Sequence, residues 1–143
     1  MEFNTAFQFV PIDKRRTVSK PRKSGITMVS DYQLGLASLS DLIEVAGHYI
    51  DLFKIATGTS RLFEKTHLQA KIEMLRANDI RPFLGGQFQE YVIHTMGIDA
   101  MPRHLSEAQA LGFDIIEISD NMIHLGDGLR QQLFDMVRDQ GMN

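Results

Sequence analysis

The sequence predicts an α/β fold of the (β/α)8-barrel type, with about four βα units present in this chain. Three observations support the prediction. From residue 25 onwards, short apolar runs alternate with segments of helical periodicity. The apolar runs are hydrophobic at nearly every position, as is typical of parallel strands covered on both faces. Polar residues follow the end of each run, where ligands bind in parallel α/β folds.

The first βα unit opens with the β-rich apolar run 25–29, which ends before Ser30 and Asp31. A helix is predicted over residues 38–46, because apolar residues recur there at helical spacing: Leu39, Leu42, Ile43 and Ala46. Ser38 with Asp41 three positions later resembles a capping box, and Gly47 is a plausible end of this helix.

The second and third units follow the same pattern. Residues 49–56 form the second predicted strand, and Thr66 opens a helix with Gln69 as its capping partner. The apolar face of that helix carries Leu68, Ile72 and Leu75. Residues 80–84 form the third strand, and 87–96 form the next helix.

The fourth unit begins after a break at Met101–Pro102. Residues 103–111 resume helical spacing, and residues 113–118 form the fourth predicted strand. The last predicted helix covers residues 127–139, with Gly141 beyond its end. Since such alternating units join parallel neighbours, the four strands are expected to form one parallel sheet.

Residues 1–24 form a predicted basic leader, and residues 25–143 form the predicted partial barrel domain. The charges of the leader lie within ten positions: Lys14, Arg15, Arg16, Lys20, Arg22 and Lys23. One interpretation is a solvated N-terminal arm, which charge runs usually form. The alternative is that Arg22, close to the first strand, contacts an anionic substrate.

Bulk composition excludes several classes of protein. The chain of 143 residues is 43% hydrophobic and 23% charged, as in ordinary globular domains. A net charge of −3 gives no indication of a nucleic-acid partner, and no apolar run approaches the ~20 residues that span a bilayer. Without cysteine there are no disulfides or thiolate sites. No signal peptide is visible at residues 1–4, so a cytoplasmic location is expected.

Polar residues at the predicted strand ends indicate where the chemistry lies. They are Asp31, Lys54, Gln87, Glu90, Glu117, Ser119, Asp120 and Asn121. Strand alternation places Lys54 and Glu117 opposite the purely apolar face, and therefore inside the barrel. Because buried charges are costly unless paired, the two residues form either an ion pair that only holds the barrel or part of a site.

Other signals at this end of the sheet are weaker. Thr57–Ser60 and Gly85–Gly86 either allow close approach of a ligand or serve as plain turns. The five histidines show no metal-site spacing, and His124 alone follows a strand closely enough to reach the rim. No P-loop, Gly-x-Gly-x-x-Gly or Gly-x-Ser-x-Gly motif occurs. A carboxylate-rich rim with a lysine suits Mg²⁺, which prefers oxygen ligands.

The ordered set of motifs resembles the phosphosulfolactate synthase family. The similarity runs from about residue 20 to the C-terminus, through four stretches. They are Lys20-Pro21-Arg22 before the run 25–29 with Asp31; Tyr49-Ile50-Asp51 with Lys54 and Gly58-Thr59-Ser60; Gly85-Gly86 with Glu90; and Gly112-Phe113-Asp114 before Glu117-Ile118-Ser119-Asp120.

This resemblance implies a TIM barrel that acts as a carbon–sulfur lyase. Its substrates would be phosphoenolpyruvate and sulfite, its cofactor Mg²⁺, and its product (2R)-phospho-3-sulfolactate, an early intermediate of coenzyme M biosynthesis. The implied metal ligands are Asp31, Glu117 and Asp120. The implied catalytic residues are Lys54, as acid or electrostatic stabiliser, and Glu117. The implied substrate-binding residues are Arg22, Gly58, Thr59, Ser60, Gly85, Gly86, Glu90 and Ser119.

Two alternatives to sulfite addition stay open. One is a family member with a different small phosphorylated or carboxylated substrate, as its heat-stress-associated branch in plants suggests, and the other is a non-catalytic, stress-associated protein that kept the fold. Its length also differs from a full barrel, which has eight units and typically ~250 residues. We expect a truncated chain rather than two copies that close one barrel, and a homo-oligomeric protein.

Overall fold

A computed structural model describes residues 6–11, 13, 15, 17 and 19–143. Residues 1–5 and the leader residues Lys14 and Arg16 lie outside the described residues. The described residues contain four strands: β1 (Met28–Asp31), β2 (Leu52–Ile55), β3 (Arg81–Leu84) and β4 (Ile115–Ile116). The helices are α1 (Leu36–Ala46), α2 (Lys65–Ala77), α3 (Gly86–Met96), α4 (Met101–Leu111) and α5 (Gly126–Asp139). Short 3-10 turns cover Gly47–Tyr49, Ala56–Leu62 and Ile98–Ala100.

The four strands form one parallel sheet in the order β1-β2-β3-β4. Ser30 lies beside Lys54, Lys54 beside Phe83, and Phe83 beside Ile115. Because right-handed crossovers between adjacent parallel strands place every helix on one side, the sheet has a helix-covered face and an open face. The α/β class and the parallel sheet predicted from the sequence are confirmed.

The main core lies between the sheet and the helices. Phe53 and Ile55 of β2 are fully buried, whereas Leu52 and Lys54, which alternate with them, are only half-buried on the open face. The core cluster continues through the inner faces of α2 and α4, with Leu68, Ile72, Leu75, Leu105 and Ala108. This burial of one strand face fixes which side chains point to the open face.

Element ends differ from the sequence predictions for local reasons. Helix α1 begins at Leu36 with Gly35 as its N-cap, so Ser38 lies inside the helix and the predicted capping box is wrong. Pro102 does not break a helix, because it lies in the first turn of α4, where its missing N–H has no intrahelical partner. Tyr49 belongs to a 3-10 turn rather than to the second strand.

The last described part of the leader lies across the amino ends of the strands. The Lys20 ammonium donates to the carbonyl of Gly47 at 2.7 Å. Arg22 donates to the carbonyls of Thr17, His48 and Tyr49, and its guanidinium lies 2.7 Å from the Asp51 carboxylate. This stretch is therefore attached to the sheet rather than solvated.

The final residue extends the sheet on its β4 side. The Asn143 N–H donates to the carbonyl of Asp114, and the Ile116 N–H donates to the carbonyl of Asn143, both at 2.9 Å. This is the parallel-ladder pattern, and it sets Asn143 beside Ile115. Among the described residues, no helix is both long and apolar enough to cross a membrane.

Candidate active site

The carboxyl ends of the strands meet at one edge of the sheet, here called the rim. Asp31 ends β1, Lys54 is next to last in β2, and Gly85 follows β3. Glu117 follows β4 directly, and its N–H donates to the carbonyl of Leu84 in β3 at 3.2 Å. The rim is where bound substrates lie in parallel α/β barrels.

Lys54 and Glu117 form an ion pair on the open face of the rim. The Lys54 Nζ lies 2.6 Å from Glu117 Oε2 and 2.9 Å from Oε1. The side chains remain 22% and 33% exposed, so both are reachable from the open face. The prediction that these two residues point to the same side of the sheet is confirmed, and the pairing makes each the other's counter-ion. Their catalytic roles stay a prediction.

Helix α3 begins against this pair. The Gly86 N–H donates to Glu117 Oε2 at 2.7 Å, so the positive end of the helix dipole meets the carboxylate. A Cβ on Gly86 would lie 2.6 Å from Ser119 Oγ and 2.9 Å from the Glu117 carbonyl, and a Cβ on Gly85 would lie 3.0 Å from Lys54 Cε. The absence of a side chain at Gly85 and Gly86 therefore makes room for other atoms of the chain itself, in particular those of Lys54, Glu117 and Ser119.

Glu90 is buried beneath the loop that follows β4. Its carboxylate accepts hydrogen bonds from the Ser119 hydroxyl and from the N–H groups of Asn121, Met122 and Ile123. Burial raises the pKa of Glu90, but these four donors together outweigh burial and hold the pKa below its usual value. With both oxygens occupied by the protein, Glu90 faces the loop rather than the open face.

Asp31 lies on the helix-covered side of the rim. Its side chain is fully buried and paired with the equally buried ammonium of Lys71 from α2. Its Oδ1 also accepts from the N–H groups of Gln33 at 3.0 Å and Leu34 at 2.7 Å. The carboxylate thus fixes the β1–α1 loop, and its lone pairs point away from the Lys54–Glu117 pair. Lys71 donates in addition to the Leu34 carbonyl.

Asp120 lies at the outer side of the rim, next to α5. Its carboxylate contacts Arg130, which also lies 3.0 Å from Asp127. Side chains of Asp120 and Arg130 are each 37% exposed. Arg130 is a rim cation that the sequence analysis missed, since a single arginine in a helix carries no pattern of its own.

The loop after β2 has an unusual backbone. Thr57 and Gly58 both have positive φ, 50° and 76°, a conformation that is costly for a β-branched residue such as Thr57. The Thr59 hydroxyl donates to the Ala56 carbonyl at 3.0 Å. The Ser60 hydroxyl is buried and has no hydrogen-bond partner in the described part of the chain. Gly58 lies against the Phe88 ring.

Arg22 is not brought to the rim. Its partner Asp51 directly precedes β2, so the pair lies at the amino ends of the strands, at the opposite edge of the sheet from Lys54. Its side chain is only 5% exposed. This placement favours neither the solvated arm nor contact with a ligand at the rim, because the guanidinium is bound to the protein's own carbonyls and carboxylate.

The three predicted metal ligands do not converge. Asp31 is bound to Lys71, Glu117 to Lys54 and Asp120 to Arg130. Across residues 6–11, 13, 15, 17 and 19–143, no group of three histidine, aspartate or glutamate side chains forms a metal-binding cluster. The carboxylates of this chain therefore do not fit a Mg²⁺ site of their own as they are arranged here.

Comparisons with known proteins address the identity of the chain. A family model described as (2R)-phospho-3-sulfolactate synthase matches residues 15–143. The chain belongs to this family. Its fold is thus the TIM barrel of the family, of which the chain supplies four parallel strands.

Three relatives illustrate the match. The phosphosulfolactate synthase of Methanothermobacter thermautotrophicus is 36% identical over 122 residues, which are 85% of this chain and 46% of that protein. The phosphosulfolactate synthase of Methanocaldococcus jannaschii is 29% identical over 136 residues, covering 95% of this chain and 50% of that protein. Protein HEAT-STRESS-ASSOCIATED 32 of Arabidopsis thaliana is 24% identical over 126 residues, covering 86% and 43%. The chain spans about half the length of these curated relatives.

Proposed function

We propose that this chain adds sulfite to phosphoenolpyruvate to give (2R)-phospho-3-sulfolactate, a step toward coenzyme M. Membership of the phosphosulfolactate synthase family supports the reaction class. The observation that carries the proposal for this chain is the Lys54–Glu117 pair, exposed on the open face at the rim. A cation held at the site of ligand binding suits a reaction between anions.

In the proposed reaction, the sulfur lone pair of sulfite forms a bond to the methylene carbon of phosphoenolpyruvate. The electron pair of the carbon–carbon double bond moves toward the carboxylate-bearing carbon, which then takes a proton. Lys54 holds that proton on Nζ, and Glu117 orients the ammonium through two contacts of 2.6 and 2.9 Å. The same ammonium attracts the negative charge that develops on the substrate carboxylate.

Mg²⁺ is the proposed cofactor on the basis of the family resemblance and the preference of the ion for oxygen ligands. When bound, it would supply additional positive charge for the substrate anions. No step is assigned to it, since each of the three candidate ligands, Asp31, Glu117 and Asp120, already contacts a cation.

The proposal is tested by incubating the 143-residue chain with phosphoenolpyruvate and sulfite, with and without Mg²⁺. Product is followed by phosphorus NMR, and in D₂O the new C–H bond should carry deuterium. Lys54→Met should lower the rate by about 10²–10⁴-fold, the usual contribution of a general acid. Lys65→Met is the matched control, because Lys65 is an exposed lysine at the start of α2 that forms no ion pair with the described residues.

Two results would count against the proposal. One is absence of product from the unaltered chain in the presence of Mg²⁺. The other is a Lys54→Met rate equal to that of the Lys65→Met control. Either would show that this chain does not carry out the reaction through Lys54.

The similarity to the heat-stress-associated plant protein favours a second candidate, a family member with another small phosphorylated or carboxylated substrate or with no catalysis. The same assay separates the candidates. A folded chain that leaves both phosphoenolpyruvate and sulfite unconsumed would favour this second candidate.

A further inference from the structure

The loop after β4 folds around a carboxylate that belongs to a helix. Three consecutive N–H groups, those of Asn121, Met122 and Ile123, point at Glu90 with N···O distances of 3.2, 2.6 and 2.9 Å. The Ser119 hydroxyl donates to the same carboxylate. Successive backbone N–H groups that converge on one point form a concave anion-binding surface.

The charge of Glu90 has no cationic partner in the described part of the chain, because none of the ion pairs found there includes it. Its side chain is nevertheless almost completely buried, with 1% of the residue exposed. A buried carboxylate is costly unless its acceptor sites are filled. Four donors fill the four lone-pair sites that a carboxylate offers.

The same helix also holds the candidate site. Gly86, one turn before Glu90 in α3, donates to Glu117, and the Gln89 side-chain oxygen accepts from the Ser119 N–H at 3.3 Å. The first turns of α3 therefore fix both Glu117 and the loop that bears Asp120. Because α3 binds both Glu117 and the loop after β4, this helix sets the position of that loop relative to Glu117.

We propose that Glu90 is a positioning residue that acts as an internal anion. The segment Ser119–Ile123 folds around its carboxylate, and this holds the segment beside the Lys54–Glu117 pair. A further consequence is that the concave surface, once emptied, binds a small carboxylate of matching size. The family resemblance implies that Glu90 binds substrate, whereas its contacts with Ser119, Asn121, Met122 and Ile123 give it a role through the loop.

The test is amide hydrogen exchange of the 143-residue chain, measured by NMR for Asn121, Met122 and Ile123. Glu90→Ala removes the Cγ and the carboxyl group, the atoms that acetate supplies. The three amides should exchange about 10–100-fold faster in Glu90→Ala, as expected when hydrogen bonds to a charged group are lost. Added acetate should restore much of the protection, whereas chloride at the same ionic strength and neutral acetamide should not.

Two further variants complete the design. Glu90→Gln keeps the volume but places an NH₂ group against N–H donors, so it should lose protection without rescue by acetate. It also supplies the measurement if Glu90→Ala fails to fold. Glu73→Ala is the matched control, because Glu73 is exposed on α2. Unchanged exchange at the three amides in both Glu90 variants, or a folded Glu90→Ala chain that acetate does not protect, overturns the proposal.

The activity measurement rests on the proposed function and is kept separate. In the sulfite assay, Glu90→Ala should lower kcat more than it changes KM, with recovery in acetate. A wild-type chain without activity would contradict the proposed function alone, since the exchange results do not depend on turnover. A Glu90→Ala chain with normal kcat and unprotected loop amides would contradict the role of the loop in catalysis.

Discussion

The buried pair of Lys71 and Asp31 gives the largest expected effect on stability. Lys71→Met keeps the length of the side chain and removes its charge, which leaves the Asp31 carboxylate buried without a counter-ion. Removing one partner of such a pair typically costs about 3–5 kcal/mol. Asp31 retains two backbone donors, from Gln33 and Leu34, so we expect a loss near the lower limit, about 3 kcal/mol. For a chain of this size that corresponds to a fall in Tm of about 10 °C.

The assay is urea unfolding of the 143-residue chain followed by circular dichroism. Lys65→Met on the exposed side of the same helix is the control and should change the free energy of unfolding by less than about 0.5 kcal/mol. The double variant Asp31→Asn with Lys71→Met should recover part of the loss, because a neutral amide oxygen still accepts from the loop N–H groups. A loss below about 1 kcal/mol for Lys71→Met would refute the reasoning.

Three further predictions concern single residues near the rim. Gly86→Ala should lower the free energy of unfolding by about 1–3 kcal/mol, because its Cβ would lie 2.6 Å from Ser119 Oγ; an unfolding energy equal to wild type would contradict the close approach. Thr57→Gly should raise stability by about 0.5–1 kcal/mol, since glycine tolerates the φ of 50°; a measured decrease would show that the backbone is not strained. Burial lowers the pKa of His104, although the negative charge of Glu107 opposes this shift. The unfolded chain therefore binds the proton more readily than the folded chain. The free energy of unfolding should consequently fall as the pH drops below about 6.5. His104→Phe should remove that part of the pH dependence in urea unfolding at pH 7.5 and 5.5, and an unchanged dependence would exclude His104 as its source.

The strands and the Lys54–Glu117 pair were predictable because both depend on a period of two. Alternation along β2 leaves Phe53 and Ile55 on one face and Lys54 on the other, and burial of the first two follows from their apolar side chains. Parallel pairing then carries this face across the sheet to Glu117. Element ends were less predictable, since a glycine N-cap such as Gly35 carries no side-chain signal.

The Asp31–Lys71 pair was missed although the sequence contains a signal for it. Lys71 lies between Leu68 and Leu75 on the apolar stripe of α2, at the spacing of buried residues. A lysine within such a stripe is either an error in the helix assignment or a buried charge that requires a carboxylate nearby. Asp31, at the end of a neighbouring strand, supplies that carboxylate, which also explains why Asp31 points away from the open face.

Arg22 and Glu90 show where position along the chain misleads. The family resemblance implies that both bind substrate, but tertiary contacts assign them elsewhere: Arg22 to Asp51 at the amino ends of the strands, and Glu90 to the loop after β4. Sequence proximity to a strand does not specify which edge of the sheet a long side chain reaches. That information comes from the partner, which is distant in sequence in both cases.

The contacts of the three rim carboxylates rank them for access by a substrate or a metal ion. Asp31 is fully buried, so exchanging Lys71 for a ligand would require the β1–α1 loop to open. Asp120 is 37% exposed but lies beside α5, with Arg130 held also by Asp127. Glu117 is 33% exposed on the open face. Its partner Lys54 has a flexible side chain, so rotation of that side chain would free the Glu117 carboxylate to bind a ligand. A ligand that enters from the open face therefore meets Glu117 and Lys54 first, and Lys54 can turn from Glu117 to a bound anion at little cost in backbone movement.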